Sequence, residues 1–440
     1  MKIKKIKINH YKSIKKPIIL NGLNLNIFIG QNSCGKGNIL DALEYILTNN
    51  NDLYYNKADL ELDLEFSEEE SIKYQLPNIK GSYKLKQGEK YLYFNNKKLT
   101  HTETLEKIFS PKIKRLDSLA FIDFQQTEKD FETLFNYPNK VEDFKKNLKN
   151  HFPKIHANEN ALDINYDHKG LYEGKKRVTI DRMGSGFRRI FIILLYIFHP
   201  QYEIILINEP ENYLHPAMIK KLLWAMENSR SGQIFFTTHS PLFIKPVTLY
   251  QVTRVVKDRE STLAFSLNNK KYDYTRLIRE LNADNLEMFF ADKVVLVEGM
   301  SDRILLRGLL DKFYSGEKDI KVIPTQGKGN MKPYIDVLIM ANIPYLIMLD
   351  KDIIKGNILK DLLNHLKIYL PKMNSRELIA SLEEKDIFIL DNGDLENNYP
   401  KKYQREDRKS LNALKAASLI SKKEFNSKRM KNLKKIVNSL

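Results

Sequence analysis

The run KVVLVEGMSD at 293–302 constrains the fold most strongly. Its apolar residues, 294–297, end at Glu298. Gly299 follows, and Ser301 and Asp302 then open an amphipathic stretch, RILLRGLLDKF. An apolar run, a turn and a helix in that order predict a buried parallel strand that delivers a carboxylate at its C-terminal end. Ser301 is placed to cap the helix. Further on, YLIML at 345–349 ends in Asp350-Lys351-Asp352. Two such strands converge on one edge of a parallel sheet, where open sheets place their sites. Clustered carboxylates suit hard divalent cations such as Mg²⁺. The expectation is phosphodiester chemistry.

The rest of this half keeps the alternation. Helix is predicted over 302–313, strand over 320–323, helix over 330–341, strand over 345–349, helical stretches over about 357–384 and strand over 386–390. Alternating β and α predicts an α/β fold with a mostly parallel sheet.

The N-terminal half carries a second constellation. LNLNIFI at 23–29 runs into Gly30-Gln31-Asn32-Ser33-Cys34-Gly35-Lys36-Gly37-Asn38, then the helical ILDALEYIL. Strand, Gly-rich loop and helix are the setting of a phosphate-binding loop. Backbone N–H groups and the helix N-terminus cradle phosphates there, and Lys36 adds a positive charge. The match to G-x-x-x-x-G-K-[ST] fails at its last position, where Gly37 replaces the hydroxyl that would face Mg²⁺. Gly184-Ser185-Gly186 precedes an apolar helix, IFIILLYIF. EIILIN at 203–208 leads into Glu209-Pro210-Glu211, and a buried strand at 234–237 ends near His239. Residues 50–150 are less regular. Residues 60–66 alternate like a strand, and 131–152 are helical with a break near Pro138.

The chain of 440 residues is long enough for two or three domains. No run approaches the length of a membrane span, and residues 191–198 are far too short. The basic N-terminus lacks an apolar core or cleavage site, so no signal peptide is read. A single cysteine, Cys34, excludes an intrachain disulfide and a multi-cysteine zinc site. A cytoplasmic protein is expected. The formal charge of +17 lies at the ends: residues 1–20 hold seven lysines and no acid, and residues 401–440 carry a net +10. Basic ends on a neutral body suggest a polyanionic partner, most plausibly nucleic acid. A compositionally biased genome, rich in Lys, Asn and Ile, is the plainer origin of the same pattern.

The Gly30–Gly37 loop, GSG at 184–186, LINEPENYLHP and TTHSP together resemble an ABC-type ATPase head of the SMC and Rad50 kind. With VLVEG and LDKD after them, the chain resembles an OLD-family (overcoming lysogenization defect) nuclease, an ABC-like head fused to a C-terminal Toprim domain. The resemblance spans roughly 1–400. It implies an ABC/SMC-like P-loop ATPase head at 1–270, with an irregular insertion at about 50–150. A connector at 271–291, a Toprim domain at 292–400 and a basic helical tail at 401–440 follow.

The resemblance implies nucleotide contacts at Gly30, Asn32, Gly35, Lys36, Gly37, Asn38, Ser185, Asn208, Glu209 and His239. Glu209 matches the family's water-activating acid and His239 its switch histidine. The Ser185 loop would touch nucleotide of an opposite subunit, implying a homodimer or higher homo-oligomer. Asn208 stands where the family has an Asp. With Gly37 it removes both protein-side contacts to the nucleotide's Mg²⁺, an ion that neutralises charge as the γ-phosphate leaves. ATP is therefore expected to bind weakly or turn over slowly. In the Toprim part, Glu298, Asp350 and Asp352 are the expected catalytic acids, with Lys415 as a catalytic lysine. Glu298, Asp302, Asp350, Asp352 and Glu396 are expected to hold Mg²⁺ or Mn²⁺ for two-metal hydrolysis.

The expected function is a metal-dependent DNA endonuclease or nickase in prokaryotic anti-phage defence, with a companion protein or nucleic acid from the same locus. The alternatives are a DNA-binding or sensing assembly with little cleavage, and an SMC-like ATPase. A primase would need a cysteine-rich zinc module, and a topoisomerase a separate tyrosine-bearing domain. The sequence supplies neither.

Overall fold

The computed structural model describes residues 1–48, 58–77, 82–86, 92–99, 112–117, 123–158, 170–173, 176–229, 232–267, 281, 283–371 and 373–440. The chain divides into two compact units, Met1–Asn268 and Asn269–Leu440.

The first unit is built on a six-stranded sheet in the order Ser261–Ser266, Val252–Asp258, Leu25–Ile29, Gln233–Thr238, Ile204–Asn208, Ile113–Leu116. Neighbours run parallel except for the outer hairpin of the first two strands. Leu25–Ile29 is buried at every residue, as befits a strand covered on both faces. A second sheet, antiparallel throughout, orders Ile18–Asn21, Lys2–Asn9, Asp59–Glu65, Ser82–Lys86, Leu92–Phe94 and Lys97–Lys98. In Lys2–Asn9 the pairing register shifts between Ile3 and Lys5. That irregularity puts Ile3 and Ile6 on one buried face despite their odd spacing. Helix Lys36–Thr48 sends Ile39, Leu40 and Leu43 into the core that Ile3, Ile6, Leu60 and Leu62 share.

Helix Ser185–Phe198 is buried continuously from Arg189 to Phe198. The Phe191 ring meets Phe131 and Phe144 edge-on, with centroids 5.2 and 5.6 Å away. Those two rings come from helices Phe124–Leu134 and Pro138–His151. The break expected near Pro138 is a true helix start, since proline at the first turn gives up an N–H that has no helical partner. Part of the region read as irregular is therefore ordered cover for the second sheet and for the apolar helix. The remainder, including 49–57 and 100–111, lies outside the described residues.

The second unit centres on a four-stranded sheet in the order Ile320–Pro324, Lys293–Val297, Tyr345–Asp350, Ile387–Leu390, parallel throughout. Most of the expected connector lies outside the described residues. Ala283–Phe290 is a 3₁₀ segment of this unit, with Leu286, Met288 and Phe289 buried.

Residues 401–440 form an integral part of this unit, not an appended tail. Ala413, Ala416 and Ala417 of helix Lys409–Leu419 share one core with Leu305 and Leu309 of helix Met300–Phe313. Leu433, Ile436 and Val437 of helix Lys431–Asn438 join it, and Phe425 stacks on Phe313 at 4.2 Å. The charge run concealed this because its lysines occupy the outer faces of amphipathic helices whose apolar faces are buried. Among the described residues, no helix is long and apolar enough to cross a membrane.

Candidate active site

The carboxylates of the second unit gather where its parallel strands end. Glu298 directly follows strand Lys293–Val297, and Asp350 closes Tyr345–Asp350. Glu298 Oε1 accepts the Asp350 N–H at 3.0 Å, so one acid's side chain is tied to the other's backbone. Asp302, in the first turn of helix Met300–Phe313, accepts the Gly299 N–H at 2.8 Å. It thus caps that helix itself, in place of the expected Ser301. Asp352 lies two residues past the strand and pairs with Lys328 Nζ at 2.5 Å. Glu396, in the 3₁₀ turn Leu395–Asn398, pairs with Lys409 at 3.4 Å.

Their electrostatics identify one cluster. Asp350 is pushed up to about 7, first by burial and then by the charges of Asp302, Glu298, Asp394 and Asp352. Asp302 rises to about 6, again chiefly through burial, with Glu298 and Glu396 adding to it. Glu298 is raised by burial, against the opposing Asp350 N–H and Lys328. The pKa values of Lys328 and Lys409 are raised as well, because the surrounding acids hold both lysines as cations despite partial burial.

Among the described residues, no three acidic, histidine or cysteine side chains converge closely enough to grip one ion as they stand. The donor set nevertheless fits a hard divalent cation. It is all carboxylate oxygen, and its two most perturbed members carry mutual repulsion that a cation relieves. Asp352 has to leave Lys328 to take part.

Three participants escaped the sequence reading. Asp394 stands two residues before Glu396. Lys328 sits in a Gly-Lys-Gly loop whose position beside the acids only the sheet order reveals. Lys409 pairs with Glu396 of the cluster, whereas Lys415, the lysine expected from sequence, pairs with Glu406. Six residues along one helix place the two lysines roughly 240° apart, on different faces.

The glycine-rich loop of the first unit joins strand Leu25–Ile29 to helix Lys36–Thr48. Gly30 has φ +148°, and a Cβ there would lie 2.1 Å from the Val255 carbonyl oxygen. Lys36 folds back on the loop. Its Nζ donates to the Gly30 and Gln31 carbonyls at 3.0 and 2.8 Å and lies 2.9 Å from His239 Nε2. Burial lowers the Lys36 pKa, as it does that of His239. Glu209 is left-handed at φ +50°, and its Oε1 is 3.3 Å from the same histidine nitrogen. Arg189 Nη2 fastens this strand end by donating to the Asn208 and Glu209 carbonyls at 2.6 and 3.1 Å. Asn208 Oδ1 accepts the Thr237 hydroxyl at 2.6 Å. Lys36, His239, Glu209 and Asn208 are thus brought together. Asn38 bonds Ser13 Oγ at 2.6 Å, Asn32 is exposed, and Ser185 opens its helix half-buried. A Cβ on Gly37 would meet nothing within 4 Å, so the missing hydroxyl is a chemical loss and no steric necessity.

Comparison with known proteins agrees with this division. Residues 289–352 match the family described as overcoming lysogenization defect protein-like, TOPRIM domain. Residues 1–98 match an AAA ATPase domain, and residues 135–245 an AAA domain of the AbiEii toxin, type IV toxin–antitoxin description. An OLD nuclease of Thermus scotoductus is 25% identical over 315 residues, covering 63% of this chain and 54% of its own length. Endonuclease GajA of Bacillus cereus is 24% identical over 396 residues, covering 71% of this chain and 68% of its own. A solved SMC head bound to the C-winged helix domain of ScpA is 15% identical, covers 62% of this chain and 99% of that one, and has a TM-score of 0.46. The chain spans about half the length of the Thermus protein. It joins N-terminal AAA-type ATPase segments to a C-terminal OLD-like Toprim domain, an α/β architecture in both parts.

Proposed function

We propose that this chain is a metal-dependent DNA endonuclease or nickase whose cleavage site is the acid cluster of its second unit. The observation that carries this reading is the meeting of Glu298, Asp302, Asp350 and Asp352, with Asp394 and Glu396 beside them, at the C-terminal edge of a parallel sheet. Burial, with repulsion from the neighbouring acids added, lifts Asp350 to about 7, and carboxylates so placed are poised for divalent cations. Glu298, Asp302, Asp350, Asp352 and Glu396 are the residues that would hold Mg²⁺ or Mn²⁺. Metal bound there supplies Lewis acidity and a water of lowered pKa, the chemistry of two-metal hydrolysis. The chain's own part is positional. The Asp350 N–H fixes Glu298, the Gly299 N–H fixes Asp302, and Lys409 fixes Glu396. Lys409 takes over the role expected of Lys415.

The first unit acts in this proposal as a degenerate nucleotide-binding head that regulates or scaffolds cleavage. Gly37 and Asn208 leave ATP bound without strong Mg²⁺ contacts, and turnover is slow. Ser185 contacts nucleotide on a second copy, making the working form a homodimer or larger. The physiological role is anti-phage defence in prokaryotes, with a companion protein or nucleic acid from the same locus. A DNA-binding assembly with little intrinsic cleavage is the second reading, and the existing Lys328–Asp352 pair favours it.

Supercoiled plasmid incubated with Mg²⁺ or Mn²⁺, with and without ATP, beside Asp350→Ala, tests the proposal. Nicking that needs metal and is lost in the variant supports the nuclease. Cleavage surviving in the variant removes the site from the chemistry.

A further inference from the structure

The loop Thr325-Gln326-Gly327-Lys328-Gly329-Asn330 leaves strand Ile320–Pro324 and enters helix Met331–Met340. It is stitched to the strand end that bears Glu298. The Thr325 N–H donates to the Val297 carbonyl at 2.9 Å, and the Gly327 N–H to the Glu298 carbonyl at 2.8 Å. Thr325 Oγ1 lies 3.1 Å from both the Val297 and Gly327 carbonyls. To make these bonds Gln326 and Gly327 both adopt positive φ, +56° and +120°. For Gln326 this is a strained conformation, of the kind kept where surroundings over-determine it. The result is to aim Lys328 across the sheet edge at Asp352.

Two features set this lysine apart from a structural counter-ion. Its pair lies at the mouth of the site, with the Lys328 side chain 24% exposed and that of Asp352 59%. Such half-exposed pairs are weak and easily exchanged. Second, a Cβ on Gly327 or on Gly329 would meet nothing within 4 Å, so both flanks of Lys328 open onto free space. A cluster of carboxylates repels a polyanionic backbone, and a substrate phosphate seated there needs a cation of the protein's own. A lysine between two open glycines, ahead of a ten-residue helix, provides it.

We propose that Lys328 is a substrate-phosphate ligand of the cleavage site. It holds Asp352 while the acids lack metal, and moves onto a non-bridging oxygen of the DNA backbone when they take metal up. This rests on the nuclease reading above and adds to it a residue that positions the polyanion.

The test uses the full chain, as wild type, Lys328→Ala, Lys328→Arg and Asp350→Ala. Mn²⁺ affinity is measured by electron paramagnetic resonance. Affinity for a short fluorescein-labelled duplex is measured in Ca²⁺ across a salt series. For Lys328→Ala, Mn²⁺ binding is expected to stay equal or tighten, because a competing cation is gone. DNA binding is expected to weaken about tenfold, and the slope of log affinity against log salt to shrink by about one. Lys328→Arg restores the slope. An unchanged DNA affinity and slope overturns the proposal. So does a parallel loss of Mn²⁺ binding, which marks Lys328 as a structural counter-ion. A wild type whose Mn²⁺ binding is indifferent to Asp350→Ala instead overturns the nuclease reading, and this proposal with it.

Discussion

Glu298 and Asp350 end neighbouring parallel strands, and the Glu298 carboxylate accepts the Asp350 N–H at 3.0 Å. The contact separates two roles of Glu298 that substitutions can resolve. Glu298→Gln keeps an oxygen for that N–H but loses the negative charge. It should fold with nearly wild-type stability while metal binding and cleavage collapse. Glu298→Ala loses the acceptor as well and should cost about 1 kcal/mol more in stability. Chemical denaturation beside Mn²⁺ titration distinguishes them, and equal metal affinity in wild type and Glu298→Gln would contradict this assignment.

The pH dependence of stability follows from the same cluster. Asp350 sits near 7 and Asp302 near 6 in the folded chain. An unfolded Asp titrates at about 3.9. Between about pH 4 and about pH 7 the folded state therefore holds protons that the unfolded state has released, and stability falls as pH rises through that window. A bound divalent ion reverses the sign by keeping the carboxylates ionised. The difference in Tm between Mn²⁺ and EDTA should be small at about pH 5 and large at about pH 8. A difference independent of pH would count against carboxylate ligation.

In the first unit, the two positions proposed to weaken ATP turnover, Gly37 and Asn208, are separable from the fold. A Cβ on Gly37 has open space, and the Asn208 side-chain oxygen accepts the Thr237 hydroxyl, a role an Asp retains. Gly37→Thr with Asn208→Asp should therefore fold normally. Mg²⁺-dependent phosphate release from ATP should rise roughly tenfold or more over wild type, and either change alone should give less. No gain in the double variant would contradict the proposal that Gly37 and Asn208 limit turnover.

The C-terminal helices make a mechanical prediction. A Cβ on Gly308 would stand 2.5 Å from the Ala417 Cβ, inside the contact between helices Met300–Phe313 and Lys409–Leu419. Alanine gains about 1 kcal/mol of helix propensity over glycine. Overpacking of this kind costs about 1–3 kcal/mol. Gly308→Ala should consequently lower Tm, and removal of 401–440 should unfold the second unit. A truncated chain with a native melting transition would refute that.

What the sequence disclosed followed its periodicity. Glu298 and Asp350 were readable because apolar strands deliver them, and a strand's end is a position that pattern alone can name. The loop from Gly30 to Lys36 was readable because its glycines meet a backbone need that few other residues serve. Lys328, Asp394 and Lys409 lie in turns or at a helix start, where neighbours are set by sheet order and not by spacing. Helix phase, which spacing alone does not tie to the acids, places Lys415 beside Glu406 and Lys409 beside Glu396. The basic end passed for a tail because net charge says nothing of the apolar face beneath it.

Single-turnover cleavage of an end-labelled DNA duplex over a Mn²⁺ titration, run with wild type, Glu298→Gln and Asp350→Asn, tests the central claim most directly. The expected result is cleavage that rises with Mn²⁺ to saturation in wild type and falls by roughly a hundredfold or more in both variants, consistent with loss of metal-assisted chemistry. Cleavage that is independent of metal, or equally fast in the variants, would contradict a nuclease site built on these acids.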